Sequence, residues 1–586
     1  MDAICVIREN INKYTEKETM FRPSVNYPEY LFCDEINKQE NIVYHMIREG
    51  FIRLKLDTEN IGRQAWNPLG GFIKPGNNVL IKPNLVLHEN RSGCGIDCLY
   101  TNPSLVAAMI DYIIIALKGK GKIVVGDAPL QECEFQTLIQ QSGYDILINY
   151  YKKKGIDIEL VDFRNIKTYE KDGLHFLQEE EGMNGIEVKL DSNSTFADVS
   201  EERMKNLRIT NYDPRILQQH HHNKTHEYNV SKHVLDADVI INMPKPKTHR
   251  KAGVTISLKN LVGINTNKEY LPHHTLGSKE EGGDAYLHKS SLLKMANEVL
   301  DIRNKLVHDG EISLARKAET LYSELILNGK KESNEKYWEG SWYGNDTIWR
   351  TTIDLNRILL YADKNGKMSN KKQRKLFIVG DMIVSGEKEG PLEPTPICPR
   401  TIIMGDDPLK FDRVVCSLMG FDYHDIPTLY NSELLDSDYP ITDDREVNII
   451  SNYENWNGKS MDEIREHYSL EFQPSSGWIV KLGNKYRDKL FHELMKSGYS
   501  VYIFGAGDNG ISAAKELEAY GIKVAAFCDN NSILWGTEIV MGIKCVKLDD
   551  ANKENPFIIA AKEKFVSEIT NQIVISGGKV WGVINN

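Results

Sequence analysis

The chain has 586 residues, of which 41% are hydrophobic and 26% are charged, and its formal net charge is −11 at pH 7. This length is too great for one hydrophobic core, so we expect roughly two to four domains. The composition is that of an ordinary globular protein, and the acidic balance argues against a general nucleic-acid-binding protein.

The sequence also constrains the localisation of the protein and the redox state of its cysteines. No apolar run approaches the roughly 18 residues that a membrane-spanning helix needs, and the first residues do not have the pattern of a secretory signal. Nine cysteines in so long a chain do not indicate a disulfide scaffold. Cys94 and Cys98 form a close pair without a second pair at zinc or iron–sulfur spacing. We therefore expect a cytoplasmic protein with reduced cysteines and no iron–sulfur cluster.

The first clear elements form a strand–helix–strand unit. An apolar run at residues 79–81 is followed by Lys82 and Asn84, which is typical of a buried strand with polar groups at its carboxyl end. Residues 101–118 have the start and stop signals of a helix, and a second apolar strand then ends in Asp127. This order predicts a parallel sheet, whose carboxyl edge is where ligands bind.

Further apolar runs extend the same pattern. Residues 237–242, 376–381 and 401–405 are expected to be core strands. A polar stretch at about 155–230 indicates an insertion with short strands, and residues 287–330 are rich in helix formers. The fold class predicted for this body is α/β, with a mostly parallel sheet and insertions.

The segment from Pro244 to His249 carries the strongest chemical signal. Prolines 244 and 246 favour extended backbone before them, and alternate side chains of an extended chain share a face. Lys245, Lys247 and His249 are therefore expected to point the same way and to form an anion site. Their mutual repulsion should lower their pKa values, which suits a base near neutral pH. The alternative is a solvated basic loop.

Residues 254–260 add further donors. As a strand they would place Thr255, Ser257 and Lys259 on one face, and as a helix they would bring Lys259 close to Thr255. The strand form would add donors for an oxyanion or a phosphate, and Lys259 and Asn260 are both candidate site residues.

Metal ligands are a second possibility. His273, His274 and Asp284 lie in a glycine-rich polar loop and are candidate ligands for a divalent metal of unknown identity. An adjacent histidine pair seldom binds one ion with both rings. The histidines at 220–222, with His226 and Glu227 nearby, suit zinc as well, but we favour a solvated loop there.

Carboxylates follow the later strands. Asp381 closes a buried strand and Glu387 follows it in a glycine-rich loop, so either could supply an acid, a base or a metal ligand. Asp407, followed by proline, is typical of a helix N-cap. Asp412, about one turn further on, is a further candidate.

The last hundred or so residues return to a strand–helix alternation. A strand is followed by Gly505, Gly507 and Gly510 in G-x-G-x-x-G spacing, then by a helix and a second strand that closes on Asp529. In a Rossmann fold such glycines let the backbone approach a diphosphate, and the acid binds a ribose. We predict a Rossmann-like domain that binds NAD(P) or a nucleotide-sugar. The alternatives are a Rossmann-like fold whose pocket is filled by protein, or one whose pocket holds another nucleotide.

Several of these motifs together resemble the domain of unknown function 362 family. They are a strand that ends in Lys-Pro-Asn at 82–84, Pro-Lys-x-Lys-x-His at 244–249, Lys-Asn-x-x-Gly at 259–263, and Asp-Pro then Phe-Asp at 407–412. The resemblance covers roughly residues 77–430. Many members carry ferredoxin-like clusters, but this chain has no C-x2-C-x2-C run. The family's chemistry is largely unassigned, so the resemblance implies a fold and site positions more than a reaction.

The resulting division has an N-terminal segment at 1–75, an α/β body at 76–470 and a Rossmann-like domain at 485–586. The body has insertions at about 155–230 and 285–370. The segment through Asp529-Asn-Asn and Trp535-Gly resembles small Rossmann-like modules appended to bacterial carbohydrate-modifying enzymes.

The leading hypothesis is an enzyme of the isomerase or transferase type in carbohydrate or surface-polysaccharide precursor metabolism. Its partner would be a small anionic substrate, sugar-related or nucleotide-linked, bound by the lysines, asparagines and histidine named above. Asp127, Asp381 or Glu387 would serve as acid, base or metal ligand. The alternatives are an NAD(P)-dependent oxidoreductase and a non-catalytic nucleotide or metabolite sensor. The oligomeric state is left open.

Overall fold

The computed structural model describes the chain except for residues 1–2, 18, 20, 172–173, 180–184, 436–437, 443–445 and 585–586. Over that described part, none of the helices combines the length and the apolar character that crossing a membrane requires.

A mixed, mostly parallel sheet lies at the centre of the body, which confirms the predicted α/β class. The strands from Lys375–Met382 to Ile158–Asp162 are mutually parallel, and Thr401–Gly405 runs antiparallel to both its neighbours. In spatial order the strands of this central sheet are Asn448–Ser451, Ala3–Arg8, Thr401–Gly405, Lys375–Met382, Val239–Met243, Asn78–Pro83, Lys122–Asp127 and Ile158–Asp162.

Both faces of the central sheet are buried, which explains why its strands have almost continuous apolar runs. Leu80 and Ile240 belong to one hydrophobic core and Ile81 and Ile241 to the other, because successive side chains of a strand point to opposite faces. Helices cover each face, so the polar groups that follow the strands are directed to the edge of the sheet.

The α-helices are distributed along the whole chain. In order they are Ile42–Arg53, Pro103–Leu117, Phe135–Ser142, Tyr144–Lys153, Glu201–Lys205, Pro214–His220, Lys232–Leu235, Ser257–Asn260, Ser291–His308, Ile312–Ser333, Ile348–Tyr361, Pro408–Met419, Pro427–Leu434, Met461–His467, Ile479–Leu482, Lys485–Ser497, Asp508–Ala519 and Glu563–Ile575.

Smaller sheets are built on the body. One of them follows the central strands at their carboxyl edge, and its strands in spatial order are Gly253–Thr255, Lys247–His249, Ser385–Glu389 and Glu393–Ile397. The others are formed by Gly185–Lys189, Thr225–Ser231 and His221–His222, by Ile166–Lys171 with Leu174–Glu179, and by Leu207–Arg208 with His274–Thr275.

Three parts of the sequence division differ from the structure. The strand Ile158–Asp162, inside the predicted insertion at about 155–230, belongs to the central sheet. The strand Ala3–Arg8 pairs with Thr401–Gly405 and Asn448–Ser451, so the segment 1–75 contributes to the central sheet and is not separate from the body. Ile348–Tyr361, inside the predicted insertion at 285–370, is buried along its whole length. The strands that pair with Ala3–Arg8 are distant in the sequence, and so are the segments Leu261–Ile264 and Pro427–Leu434 that contact the helix. Local sequence patterns therefore did not reveal these contacts.

The C-terminal residues form a second sheet that is parallel except for one edge hairpin. Helix Asp508–Ala519 connects its first two parallel strands, as the sequence predicted. In spatial order the strands are Glu538–Val540, Ile543–Val546, Val524–Cys528, Val501–Phe504, Pro556–Ile559 and Lys579–Val583.

Candidate functional site

A cavity of about 530 Å³ lies at the carboxyl edge of the central sheet and is the candidate site. It is lined by segments that follow the central strands, together with the loop around residues 268–273 and the helices Ser291–His308 and Ile312–Ser333. Its basic lining residues are Arg91, Lys247, Arg250, Lys251, Lys259, Lys268 and Arg303, and its acidic ones are Asp127, Glu132, Glu319 and Glu339.

A larger hollow of about 740 Å³ lies at the opposite edge of the sheet, beside Asp238 and Lys375. Its wall includes Arg374, whose guanidinium already donates to four backbone carbonyl oxygens. Because open α/β sheets bind ligands at the carboxyl ends of their strands, the smaller cavity is the better candidate.

Ion pairs at the rim leave the interior of the cavity positively charged. Arg91 lies 2.6 Å from Glu132 and an Arg303 nitrogen lies 3.1 Å from Glu319, so these charges compensate each other. The remaining cations are mostly lysines on the cavity wall. Burial lowers the pKa of Lys247 and Lys268 to about 7 and that of Lys251 and Lys259 to about 8.

Among the four lysines that line the cavity, Lys259 is the one whose ammonium has no described hydrogen bond or ion pair. It lies on the short helix Ser257–Asn260, which follows directly on the strand Gly253–Thr255. The segment 254–260 is therefore strand at its start and helix at its end, so each of the two predicted conformations holds for one part of it. Asp412 fixes the start of this helix, because its carboxylate accepts hydrogen bonds from the Ser257 and Leu258 amides at 2.8 and 3.0 Å.

The other cavity lysines are held by oxygen atoms of the protein. Lys247 donates to Asn84 Oδ1 at 2.6 Å and to the Leu99 carbonyl at 3.1 Å. Lys268 donates to the Ala128 carbonyl at 3.0 Å, and Lys251 donates to a backbone carbonyl of the rim. Thr255 Oγ1, also on the cavity wall, is buried without a hydrogen-bond partner in the described chain.

Two cavity histidines are held in complementary neutral forms. His249 Nδ1 accepts from the amides of Lys251 and Ala252 at 3.0 and 3.2 Å, which leaves the proton on Nε2. His273 Nδ1 lies 2.6 Å from the Leu271 carbonyl, so Nδ1 carries the proton and Nε2 is free to accept. Burial and nearby lysines lower the pKa of His249 well below its usual value and that of His273 to about 3.

Lys82 and Asp127 form a buried pair at the base of the cavity. Lys82 Nζ lies 2.6 Å from Asp127 Oδ1, and burial lowers the pKa of Lys82 and raises that of Asp127. A Cβ at Gly263 would lie 2.1 Å from Asp127 Oδ1. Asn260 lies against Lys82 and donates to Asn242 Oδ1 at 2.7 Å. The Lys-Asn-x-x-Gly segment therefore packs directly on the ion pair.

Lys245 does not share the face of Lys247 and His249, so that expectation was wrong for this residue. Its ammonium lies 2.9 Å from Asp381 Oδ2 and donates to the Tyr14 hydroxyl at 2.6 Å, and all three side chains are buried. Lys245 precedes the strand Lys247–His249, so the alternation of a strand does not extend to it. Neither Lys245 nor Asp381 lines the cavity.

Glu387 lies outside the cavity as well. Its carboxylate accepts from the Gln473 amide at 2.8 Å and from the Gln473 side chain at 3.0 Å. Burial raises the pKa of Glu387 to about 7.

The predicted metal loop does not gather three ligands within the described residues. Asp284 accepts from the Thr347 hydroxyl and the Asp346 amide, and His274 is buried in the strand His274–Thr275. These contacts stabilise the loop. The favoured solvated loop at 220–226 was also wrong for His221 and His226, which are both buried.

The C-terminal glycines have different local roles. Gly505 has a φ of +112°, and a Cβ there would lie 2.4 Å from the Ala560 carbonyl oxygen. A Cβ on Gly510 would lie 1.9 Å from the Gly505 carbonyl oxygen, whereas one on Gly507 would meet no atom within 4 Å. Asp529 accepts from the Ala506 amide at 2.8 Å, so its carboxylate already contacts the glycine loop.

Sequence reasoning missed several cavity residues. Lys251, Lys268, Arg91 and Arg303 line the cavity from segments that carry no distinctive motif. For Lys251 the signal was its place two residues after His249, which continues the basic run. The other three are brought in only by the tertiary fold.

The comparisons with known proteins give two partial likenesses. The chain is 29% identical over 240 residues to the thylakoid-associated protein sll1697 of Synechocystis sp. strain PCC 6803, which covers 40% of this chain and 54% of that protein. The chain thus matches about half the length of this relative. A crystal structure of RSP in complex with beta-NAD+ and operator DNA shares 18% identity, over 22% of this chain and 69% of that one. Its TM-score is 0.15, which carries no structural argument.

A family comparison covers far more of the chain. The model of the domain of unknown function (DUF362) matches residues 79–211 and 192–417, which together are more than half of the chain. That span includes the Lys82–Asp127 pair, the basic segment at 244–249, Lys259 and Asp412. The protein therefore belongs to the DUF362 family.

Proposed function

We propose that the protein is an enzyme that acts on a small, multiply charged anion, such as a phosphorylated sugar or a nucleotide-linked sugar. The observation that carries the proposal is the unpaired ammonium of Lys259 in a cavity of about 530 Å³. Lys259 is partly buried, a cation that is partly removed from water without a partner is unfavourable, and a bound anion would remove that cost. The reaction class is an isomerisation or a group transfer, in the setting of sugar-precursor metabolism.

The excess of cations favours a dianion over a monoanion. Lys247, Lys251, Lys259 and Lys268 all reach the cavity wall. Asp127 is already paired with Lys82, and the Glu339 carboxylate accepts hydrogen bonds from the Thr210 and Tyr322 hydroxyls. A phosphate group presents several acceptor oxygens and close to two negative charges at neutral pH. It can therefore engage more than one of these ammonium groups together.

The cavity also has groups for proton transfer. His249 Nε2 can donate to a substrate oxygen, and His273 Nε2 can accept from a substrate hydroxyl. Lys247 and Lys268, with pKa values of about 7, can give up or take a proton at neutral pH, as a general acid or base must. Such a set suits an isomerase or a transferase.

The pH dependence of anion binding tests the proposal. The four cavity lysines have folded pKa values of about 7 to 8, against about 10.4 for an ordinary lysine. In that window the unfolded chain binds more protons, so the free protein gains stability as pH rises. The anion binds the protonated amines, so its affinity falls over the same range, by about tenfold per pH unit for each proton taken up.

Thermal unfolding with and without sulfate, at pH values from about 6 to about 9, measures both effects. Sulfate keeps its charge throughout this range, so the protein alone titrates. We expect a melting-temperature increase with sulfate that shrinks as pH rises. An increase that is constant with pH would contradict the proposal. A screen of sugar phosphates, nucleotide-sugars and NAD(P)H at the lower pH then selects the substrate class, and binding without turnover of any of them would favour a sensor.

A second candidate is an oxidoreductase in which the C-terminal module binds NAD(P). Its support is the contact between that module and the rim of the cavity. Glu563, which follows a strand of the C-terminal sheet, lies 3.1 Å from Lys388. Lys564 packs against Gly93, two residues from the cavity residue Arg91. The carboxyl edge of the C-terminal sheet thus faces the rim, where a nucleotide bound at that edge would be close to the cavity.

Two glycine variants test nucleotide binding by this module. Gly510→Ala should lower stability, because its Cβ meets the Gly505 carbonyl oxygen. Gly507→Ala should fold normally, since the space beside it is open, but it should weaken NAD(P)H binding at least tenfold if a diphosphate approaches there. Fluorescence titration with NADH and NADPH measures the affinity. Unchanged affinity in the Gly507 variant would exclude this loop as the nucleotide site.

A further inference from the structure

Glu187, His220 and Glu227 place one ligand atom each within 4.8 Å of one another. We propose that these three side chains bind a zinc ion that joins the inserted strands to the wall of the cavity. One imidazole and two carboxylates are a donor set that zinc accepts, with a fourth position left for water. The imidazole disfavours calcium and magnesium, which prefer oxygen ligands. This site does not depend on the proposed enzymatic function.

The fold positions the three ligands from separate elements. Gly185–Lys189 and Thr225–Ser231 are paired antiparallel strands, in which Glu187 is opposite Asn229 and Glu227 is opposite Lys189. Glu187 and Glu227 are therefore diagonal neighbours on one face of the ribbon. His220 is the last residue of the helix Pro214–His220, and its Nδ1 lies 3.0 Å from Glu227 Oε2.

Surrounding groups hold two of the ligands in place. The Tyr270 hydroxyl donates to Glu187 Oε1 at 2.9 Å, and the Tyr270 ring stacks on the His220 ring with centroids 3.6 Å apart. Metal ligands are usually oriented by such outer contacts. Glu187 is exposed, so it can rotate the short distance needed to bring its oxygen to about 2.0–2.2 Å from an ion.

Lys189 is the charged group that competes with the metal. Its ammonium pairs with Glu227 and, because its side chain is 60% exposed, it can move into solvent at little cost. An ion pair with one solvent-exposed partner of this kind is weak and is screened by salt. A divalent ion contacting two carboxylates and an imidazole would displace it.

The location of the site gives it a structural role. Tyr270 is followed by Leu271, and Lys268 and Leu271 both line the cavity. The helix that ends at His220 follows directly on the cavity residues 210–212. A zinc ion here would fix two stretches of the cavity wall to the inserted ribbon, without contacting a substrate.

Titration of the metal-free full-length protein with zinc chloride, followed by calorimetry and thermal unfolding, tests the proposal. We expect one zinc ion per chain and a higher melting temperature. Glu187→Gln and His220→Ala should each weaken zinc binding at least tenfold, whereas Lys189→Ala should strengthen it because the competing cation is gone. His222→Ala changes a neighbouring exposed histidine outside the cluster and should leave zinc binding unchanged.

Several outcomes would overturn the assignment. They are no zinc binding by the wild-type chain, undiminished affinity in both ligand variants, or a loss of affinity in His222→Ala equal to that in His220→Ala. Zinc binding that magnesium displaces at similar concentration would also contradict a site built on an imidazole.

Discussion

Replacing Lys259 with methionine should raise the melting temperature of the free protein and weaken its binding of inorganic pyrophosphate about 10- to 150-fold. The stability gain follows because the variant removes a partly buried amine that lacks a described partner and whose pKa is lowered to about 8. The affinity loss corresponds to one hydrogen bond to a charged group, roughly 1.5–3 kcal/mol. Thermal unfolding and calorimetric titration with pyrophosphate at neutral pH measure the two effects.

The opposite signs of these effects separate a binding role from a structural one. Removing a lysine that stabilises the fold would lower the melting temperature. Removing a lysine whose role is to bind a ligand would raise the melting temperature of the free protein. Lys317→Met provides the control, because Lys317 is exposed on the helix Ile312–Ser333 and does not line the cavity. It should change neither quantity. A lower melting temperature with intact pyrophosphate binding in Lys259→Met would refute the proposed role.

The sequence was sufficient to predict five of the eight strands of the central sheet. The runs at 79–81, 122–127, 237–242, 376–381 and 401–405 all became strands of it. Buried parallel strands need apolar residues on both faces, and that requirement is visible in single segments. The strand Ala3–Arg8 satisfies it as well, but its partners lie about four hundred residues away, so no local signal assigned it to the sheet.

The sequence predicted residues of the site only where residues that are close in the sequence also lie together in the cavity. Lys247 and His249 follow one central strand and both reach the cavity. Lys268 and Arg303 arrive from a loop and from an inserted helix, and their positions depend on the tertiary fold. The alternation of side-chain directions also has limits, because Lys245 is only two residues before Lys247 but pairs with Asp381 outside the cavity. Periodicity holds within a strand and ends with it.

The motifs shared with the DUF362 family have at least two physical roles. Asp412 binds the first amides of the helix that carries Lys259, and Gly263 leaves space for the Lys82–Asp127 pair. These residues position the cavity wall. Lys259, His249 and Lys247 instead face the cavity itself. Recurrence of a residue in the family motif therefore does not by itself distinguish a ligand contact from a structural support.

Lys245→Met should have the contrary effect to Lys259→Met and lower the free energy of unfolding by about 3–5 kcal/mol, as expected when a buried ion pair loses one partner. The variant would leave the Asp381 carboxylate buried beside Tyr14, with the Asn102 amide at 2.8 Å and the Tyr14 hydroxyl at 2.6 Å as its hydrogen-bond donors. Those neutral donors do not replace an ammonium charge. Chemical denaturation followed by tryptophan fluorescence measures the loss.

A double variant distinguishes the ion pair from simple loss of packing. Lys245→Met combined with Asp381→Leu removes both charges, so it should be more stable than Lys245→Met alone, because no uncompensated carboxylate remains in the core. If the double variant were instead less stable by the sum of the two single losses, the two side chains would be energetically independent.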